Sequence, residues 1–484
     1  MPKTRDDTRS QSVGGAITVA GRLHAPNATD GMTPRWEWIP LLLTAATLLT
    51  GCRCPSSGVV PCARVAPCVY EQTAPLNHAP DLTEVASFER DALFQFPCQL
   101  PSPSDEFRLI DASTCGCNAA RNTRVAYLLD LEQHWAGVLI SCDTEAVQKA
   151  LCLTRDLLKL REAEVRNAAA GSALSTFYLL AGAETQFTYV QRGIGEARDT
   201  LRRIDSLRER GLETPDDIDR SEISQMLTSL EDQALQLSLA RIQLNGQLMR
   251  LLGCPLREEG MFQPRVDWAC ELTRPDFEAL VADGLAHRSD VRSVRLAVCR
   301  LEKATLPVAR AVLTVADPAL GAVEPQSGLC HVIRCSCCYD QEEPIRRRQL
   351  CTLLKESREA AAAKIKGAAY QVAIQQQRVA VARQAVLDRR SELRALEKLR
   401  DVNDTSIFEI SVARGRVFTA ETTLVEQVVE LKVAEVALRQ EQGLLVEECG
   451  LGAHLCCEPH SSYTVAPVEP TCPCEGLAIP GAEG

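Results

Sequence analysis

The chain has 484 residues, enough for two or three domains, and a net charge of −11 from 53 Lys and Arg against 64 Asp and Glu. This acidic balance gives no support to nucleic-acid binding, which needs a basic face, and an aromatic content of 4% is low for a lipid-facing β-barrel. The 22 cysteines are too many for a reducing compartment unless metal ions hold them, so disulfides in an oxidising compartment are expected.

Residues 1–52 are predicted to be a leader that ends in a lipoprotein signal peptide. The leader begins with a polar stretch that looks like an over-long gene start. From Met32, a short positive region and an apolar run over residues 39–49 lead to the tetrapeptide Leu-Thr-Gly-Cys, which resembles a bacterial lipobox. The pattern predicts cleavage before Cys52 and its lipidation; a plain signal peptide and a chance apolar run are the alternatives. Arg53 follows instead of the Asp that retains inner-membrane lipoproteins, so the outer membrane is the expected location.

Residues 53–112 are rich in Cys and Pro and are expected to tether this anchor to a helical body. A first helical repeat is predicted over residues 113–254. It is expected to hold a helix from Asn118 to Trp135, followed by long helices over 145–208 and 217–252 that flank a polar turn.

Both long helices of this repeat have a seven-residue apolar period. In the first helix the two series are Leu180, Phe187, Ile194 and Leu201, and Ala183, Val190, Ala197 and Ile204. In the second helix the series is Ile223, Leu227, Leu230, Ala234, Leu237, Leu244, Leu248 and Leu251. A period of seven keeps one stripe towards a partner and predicts an antiparallel coiled-coil hairpin. The second helix also has a flanking stripe, which implies a further neighbour from this chain or another copy: Met226, Leu235, Leu239, Ile242 and Met249.

Residues 255–350 are predicted to be a connector, made of a loop, a helix over residues 276–314 that Pro307 kinks, and an irregular Cys-rich loop. A second repeat is predicted over residues 351–448, with a long helix from near Thr352, a turn near 401–405 and a last long helix. Its series are Ile365, Val372, Val379, Val386 and Leu393, then Ile410, Val417, Leu424, Leu431 and Leu438 with Ala413, Ala420 and Ala434. Residues 449–484 are expected to be a disordered Cys/Pro/Gly tail.

The predicted fold class is therefore all-α, with long antiparallel coiled-coil hairpins in two internal repeats and little or no β-structure. Amphipathic helices of a single bundle are the alternative.

The order of the motifs resembles the TolC family of bacterial outer-membrane efflux proteins. The family's first hairpin tip carries a Gly-Leu-x4-Asp-(Val/Ile) pattern, which is matched here by Gly211, Leu212, Asp217 and Ile218. Its second tip carries a Gly before a Ser-(Leu/Ile)-x-(Asp/Glu)-(Val/Ile) run, and here Asn403 replaces that Gly while Ser406 and Ile407 open the run. Asn also tolerates the left-handed conformation.

A third motif of the family, Ala-Leu-x-x-Arg-Pro-Asp-Leu, opens its second repeat. Residues 285–291, Leu-Ala-His-Arg-Ser-Asp-Val, are similar, with Ser289 in place of Pro. The three motifs together cover roughly residues 145–447, and it is their order that is specific.

The resemblance implies a homotrimer that forms a helical barrel, a tunnel through the periplasm, and that docks a periplasmic adaptor (membrane fusion) protein linked to an inner-membrane pump. It implies that the tip residues contact the adaptor. A well-made turn without docking is the alternative, because Gly211 suits a left-handed residue, Pro215 a first helical position and Asp217 a helix cap.

One departure from the family concerns the β-strands that its members insert into each repeat to close an outer-membrane barrel. Residues 315–350 are rich in Pro and charge, with Val332 and Ile333 as the only adjacent pair of apolar β-branched residues, and residues 135–140 offer one strand at most. The barrel is expected to be absent or vestigial, which would make the lipid on Cys52 the main membrane attachment.

A cluster of possible metal ligands lies in the connector: Cys330, His331, Cys335, Cys337 and Cys338. It lacks a second Cys-x-x-Cys pair, so disulfides are the favoured interpretation over a metal site. Four further cysteines flank the two hairpins and are expected to form disulfide clips at the hairpin bases: Cys152, Cys254, Cys351 and Cys449.

No phosphate-binding, Ser-hydrolase or zinc-protease motif is present, so neither an enzyme nor a cofactor is predicted. Two functions remain: a lipid-anchored TolC-like efflux or export component, and a structural coiled-coil envelope lipoprotein that acts as a spacer or scaffold without transport.

Overall fold

The computed structural model describes residues 107–141, 144–211, 217–254, 261–268, 275–323, 336–400, 407–453 and 455; the side chains of residues 217–219, 336–340, 400 and 407 are outside this description. The helices are α1 (Ala112–Asn122), α2 (Arg124–Ile140), α3 (Glu145–Glu209), α4 (Asp217–Leu251), α5 (Phe277–His287), α6 (Ser289–Cys299), α7 (Leu306–Ala316), α8 (Ser336–Arg400), α9 (Ile407–Gln442) and α10 (Leu445–Glu448). The strands are β1 (Phe107–Asp111) and β2 (Met261–Arg265).

The described residues are 86% helical, which confirms the predicted all-α class. The two strands pair in parallel, with Phe107 opposite Met261 and Asp111 opposite Arg265. That short sheet lies where α4 ends, and Asn245 of α4 holds β2 by accepting a hydrogen bond from the Phe262 N–H and donating one to the Phe262 carbonyl.

The long helices form two antiparallel pairs. In the first pair, Glu184 of α3 contacts Arg241 of α4, and the later Asp205 contacts the earlier Arg220. Later positions of α3 therefore meet earlier positions of α4. The same holds for α8 and α9, where Gln375 bonds Glu430 and, further along α8, Arg390 bonds the earlier Glu421.

The two pairs join through α3 and α9, so the helices follow the order α4, α3, α9, α8 across one layer. Glycines on α3 allow a close approach there. A Cβ at Gly182 would lie 2.6 Å from the Val429 side chain, and one at Gly171 would collide with the Gln440 side chain. Because α9 is antiparallel to both α3 and α8, α3 and α8 run in the same direction, and the turns that follow them lie at the same end.

Most of the seven-residue series are buried, as a partner-facing stripe requires. Leu180, Val190 and Ile204 of α3 and Val379, Val386 and Leu424 of the second pair are each fully buried. That the two pairs are coiled-coil repeats of one unit stays a prediction.

Several predicted boundaries were wrong. The long helix α8 begins at Ser336, not near Thr352, because its charged start is held by ion pairs: Glu342 lies between Arg310 and Arg346, at 2.6 and 2.9 Å. These two arginines, the Arg310 hydrogen bond foremost, hold the pKa of Glu342 below its usual value. Opposite charges four residues apart also suit a helix, as for Glu343 and Arg347.

The predicted kinked helix over residues 276–314 is three separate helices, α5, α6 and α7. The chain breaks at Arg288, which bonds Asp290 and, across to the end of α9, Glu441 at 2.7 Å. Pro307 lies in the first turn of α7, where its missing N–H costs nothing. The predicted 255–275 loop contains β2, the predicted tether contains β1, and residues 135–140 are helical and pack with the rest of α2 on α3.

Candidate functional site

The first tip begins where α3 ends. Gly211 has φ of +67°, and its N–H donates to the Arg208 carbonyl at 3.0 Å, so it adopts the left-handed conformation that its place in the motif requires. Behind it, Asp205 accepts two hydrogen bonds from Arg220 of α4, at 3.0 and 3.2 Å. The Arg220 hydrogen bond lowers the pKa of Asp205. The turn is therefore closed by an ion pair between its two helices.

The second tip has an ion pair in the corresponding place. Glu397 of α8 bonds Arg414 of α9 at 3.0 Å. Glu397 precedes Asn403 by six positions, as Asp205 precedes Gly211 by six. Both tips thus have a carboxylate late in the first helix and an arginine early in the second.

The remaining predicted tip residues lie at or beyond the limits of the described chain. Leu212, Asn403 and Ser406 lie outside it, and Asp217 and Ile218 open α4 while Ile407 opens α9, with side chains that are not described. Cys52 and the Cys330-to-Cys335 part of the possible metal cluster also lie outside, as do the side chains of Cys337 and Cys338. Their roles stay predictions.

Two charged pairs lie inside the helix layer, and sequence reasoning missed both. Arg241 of α4 bonds Glu184 at 2.7 Å and stacks over the Phe187 ring at 4.5 Å, and Arg390 of α8 bonds Glu421 at 3.0 Å. Burial raises the pKa of Glu184 and of Glu421, although their arginines partly offset it. The available signal was a charge beside an apolar seam on each of two adjacent helices.

The two outer helices of the layer, α4 and α8, each expose a stripe of large apolar side chains. On α4 these are Leu235, which is 71% exposed, Leu239 and Ile242, three members of the predicted flanking stripe; Met249 of that stripe is buried. On α8 they include Tyr370, Ile374 and Val381, the last also 71% exposed.

The α4 edge and the α8 edge stand at the same level along the layer. Arg241 of α4 meets Glu184 of α3, while Gln375 of α8 meets Glu430, whose neighbour Val429 abuts Gly182 of α3. Measured along α3, Arg241 is therefore level with residue 184 and Gln375 with about residue 182. The two residues differ in height by about two positions, or about 3 Å.

The cysteine pairing differs from the predicted hairpin clips. Cys449 bonds Cys117 of α1, with 5.2 Å between their Cα atoms, which ties the end of the last pair to the first short helix. Cys254 and Cys351 are also disulfide-bonded. Cys152, which was predicted to take part in such a clip, is a half-buried thiol.

Within the described ranges, no cluster of three or more His, Cys, Asp or Glu residues could hold a metal ion. None of the helices described is at once long and apolar enough to cross a membrane.

No family model matches the chain, and no curated protein matches it. Solved structures do. CusC, from a study of transmembrane channel formation, matches with a TM-score of 0.52 and 11% identity over 68% of this chain and 91% of that one. The CmeC outer membrane channel of Campylobacter jejuni matches with a TM-score of 0.50 and 10% identity, over 69% and 85%. The outer-membrane channel OprN matches with a TM-score of 0.50 and 12% identity, over 69% and 89%. The chain therefore has the fold of the TolC-like outer-membrane channels, as the resemblance found in the sequence predicted.

Proposed function

We propose that the chain is a TolC-like efflux or export component of the outer membrane, and that three copies assemble side by side into a helical tunnel through the periplasm. The observation that carries this proposal is the pair of exposed apolar edges. Large apolar side chains on both outer helices of one layer are costly in water, at about 1.5–3 kcal/mol for each side chain left unburied. A neighbour is expected to cover them.

A second copy fits these edges because they are different and stand at one level. If α4 of one copy packs against α8 of the next, the contact is head-to-tail, and a head-to-tail contact without axial displacement closes into a ring when the rotation between copies divides a full turn. Leu239 and Ile374 stand at about the same level along the layer, which supports a closed ring over an open filament. The number three comes from the TolC resemblance.

The tips are proposed to dock a periplasmic adaptor, itself linked to an inner-membrane pump. Leu212 and Ile218 at the first tip, and Ile407 at the second, would offer apolar contacts, while the Asp205–Arg220 and Glu397–Arg414 pairs keep each turn closed. Lipidated Cys52 would attach the assembly to the outer membrane. The absence of an enzymatic activity is part of the same proposal.

The test places charge on the α4 edge. Changing Leu235 and Leu239 to Glu should abolish the assembly, because two carboxylates would have to be buried against apolar α8 side chains. The matched control changes Gln243 and Gln247 to Glu, which adds the same charge to exposed positions about a quarter-turn away on α4. The control should assemble like wild type.

Function is read from the accumulation of ethidium in cells. Deleting the gene should raise accumulation, and wild type and the Gln control should restore it while the Leu235/Leu239 variant does not. Unchanged accumulation on deletion, with the assembly intact, would favour the second candidate, a structural envelope spacer.

A further inference from the structure

Helix α2 presents a second apolar seam that the described residues leave uncovered. Its inner side buries Ala126, Gln133 and Ala136 against α3. Its outer side carries Leu128, Leu131, Trp135 and Val138, at successive steps of three, four and three residues, which we call the α2 seam. Leu128 is 59% exposed and Trp135 is 52% exposed. These steps are those of a stripe that packs against another helix.

The second copy of the proposed ring is a poor occupant for this seam. Gln133 of α2 bonds Glu162 of α3, and Gly137 lies against Arg155, so the seam is level with α3 residues 155–165. Helix α8 runs in the same direction as α3, and its Gln375 is level with Gly182. Residues 155–165 of α3 are therefore level with residues 348–358 of α8. The exposed side chains there are polar or charged: Arg348, Thr352, Lys355 and Glu356.

The sequence offers a better match in residues 81–96, which precede β1 and lie outside the described chain. Asp81 and Glu84 have the spacing of a helix N-terminus, and Pro97 follows the last residue. Between them, apolar residues recur on one helical face, at i, i+3, i+4, i+11 and i+14: Leu82, Val85, Ala86, Leu93 and Phe96. Glu89 interrupts this face, and the exposed His134 beside Trp135 offers it a hydrogen-bonding partner.

The connection between the two elements has the right length. Cys115 of α1 contacts Ala173 of α3, and β1 immediately precedes α1, so β1 starts roughly 20 Å along α3 from the level of Leu128. Residues 97–106 can span at most about 35 Å. Phe96 can therefore reach Leu128 with length to spare, whereas Val138, about 15 Å further on, is at the limit.

We propose that residues 81–96 dock as an amphipathic helix on the α2 seam, antiparallel to α2, with Phe96 near Leu128 and Leu82 near Val138. This goes beyond the proposed function and does not rest on it, because the α2 seam lies outside the proposed contact between α4 and α8.

Photo-crosslinking in the full-length chain tests the docking. With p-benzoylphenylalanine in place of Trp135, peptide mapping should find a crosslink within one chain to residues 81–96. The same probe in place of Leu239 of α4 is the control for the ring, and it should crosslink to α8 of another copy. A Trp135 probe that reaches another copy, lipid or no peptide of residues 81–96 overturns the docking, whatever the Leu239 probe does. A Leu239 probe that fails overturns the ring alone.

A matched pair of variants adds a measurement that does not depend on a probe. Leu93→Ser removes an apolar group from the docking face, and Phe94→Ser removes one that lies about 100° further around the same segment, off that face. Amide hydrogen exchange of α2 should become roughly tenfold or more faster in Leu93→Ser, because the loss of one buried leucine weakens the contact by about that factor. It should stay unchanged in Phe94→Ser. Equal exchange in both variants contradicts the proposal.

Discussion

The close approach of α3 and α9 gives the sharpest stability prediction. Gly182 lies in the interior of α3, and a Cβ there would be 2.6 Å from one Val429 methyl carbon and 3.3 Å from the other. Real Cβ atoms do not come that close, and a valine has little freedom to turn away in a helix. Gly182→Ala must therefore push the two helices apart.

The magnitude follows from two opposing terms. Overpacking of a core costs about 1–3 kcal/mol, and the close contact places Gly182 near the upper end. Replacing Gly by Ala in the interior of a helix raises the stability of the folded state by about 1 kcal/mol. The free energy of unfolding should therefore fall by about 2 kcal/mol in Gly182→Ala.

Gly195 provides a matched control in the same helix, because no atom lies within 4 Å of the position where its Cβ would be. Gly195→Ala should raise the free energy of unfolding by about 0.5–1 kcal/mol. The added change Val429→Ala should restore much of what Gly182→Ala loses, because it removes the methyl groups in conflict. Denaturant unfolding followed by circular dichroism, at one protein concentration, measures wild type, Gly182→Ala, Gly195→Ala, Val429→Ala and the double variant, because the coupling is obtained only with both single changes. Equal effects of the two glycine changes, or no coupling between Gly182 and Val429, would refute the close approach.

Three other predictions concern the disulfide, a buried carboxylate and the tips. Cys117→Ser should lower the free energy of unfolding by up to about 5 kcal/mol, because the Cys117–Cys449 disulfide closes a loop with a sequence separation of 332. Cys152→Ser, which replaces a free thiol, should change the free energy of unfolding little. Denaturant titration under oxidising conditions measures both variants. Burial raises the pKa of Glu421 above its unfolded value of 4.5, so the folded state binds this proton more tightly than the unfolded state. The free energy of unfolding of wild type, relative to that of Glu421→Gln, should therefore fall as the pH rises from the unfolded pKa through the higher folded pKa. A difference in stability between the two proteins that stays constant from pH 4 to pH 7 would contradict this. Leu212→Ser with Ile218→Ser should abolish crosslinking to the adaptor while the trimer still forms, and unchanged crosslinking would remove the docking role.

The long helices could be predicted from the sequence because burial follows their period directly. Leu180, Val190 and Ile204 recur on one stripe, and that stripe is buried. The bounds of α3 and α4 were predicted to within one residue, because a polar turn and the Leu-Leu-Gly stop at residues 251–253 mark them locally. The positive φ of Gly211 was also expected from the motif.

The parts that could not be predicted depend on partners far away in the chain. The parallel pairing of β1 with β2 joins residues about 150 positions apart and has no local signal. The start of α8 depends on Arg310 of another helix, and the break at Arg288 is fixed by Glu441 of α9. Residues 135–140 were considered for a strand because they are apolar, but α3 supplies a face for them to pack on as a helix.

The number of copies in the purified assembly tests the central claim most directly. The full-length chain, extracted from membranes in mild detergent, can be weighed by native mass spectrometry. A complex of three copies, lost in the Leu235→Glu/Leu239→Glu variant and kept in the Gln243→Glu/Gln247→Glu control, is the predicted result. A monomer, or a complex of three that the α4 edge variant leaves intact, would contradict the account.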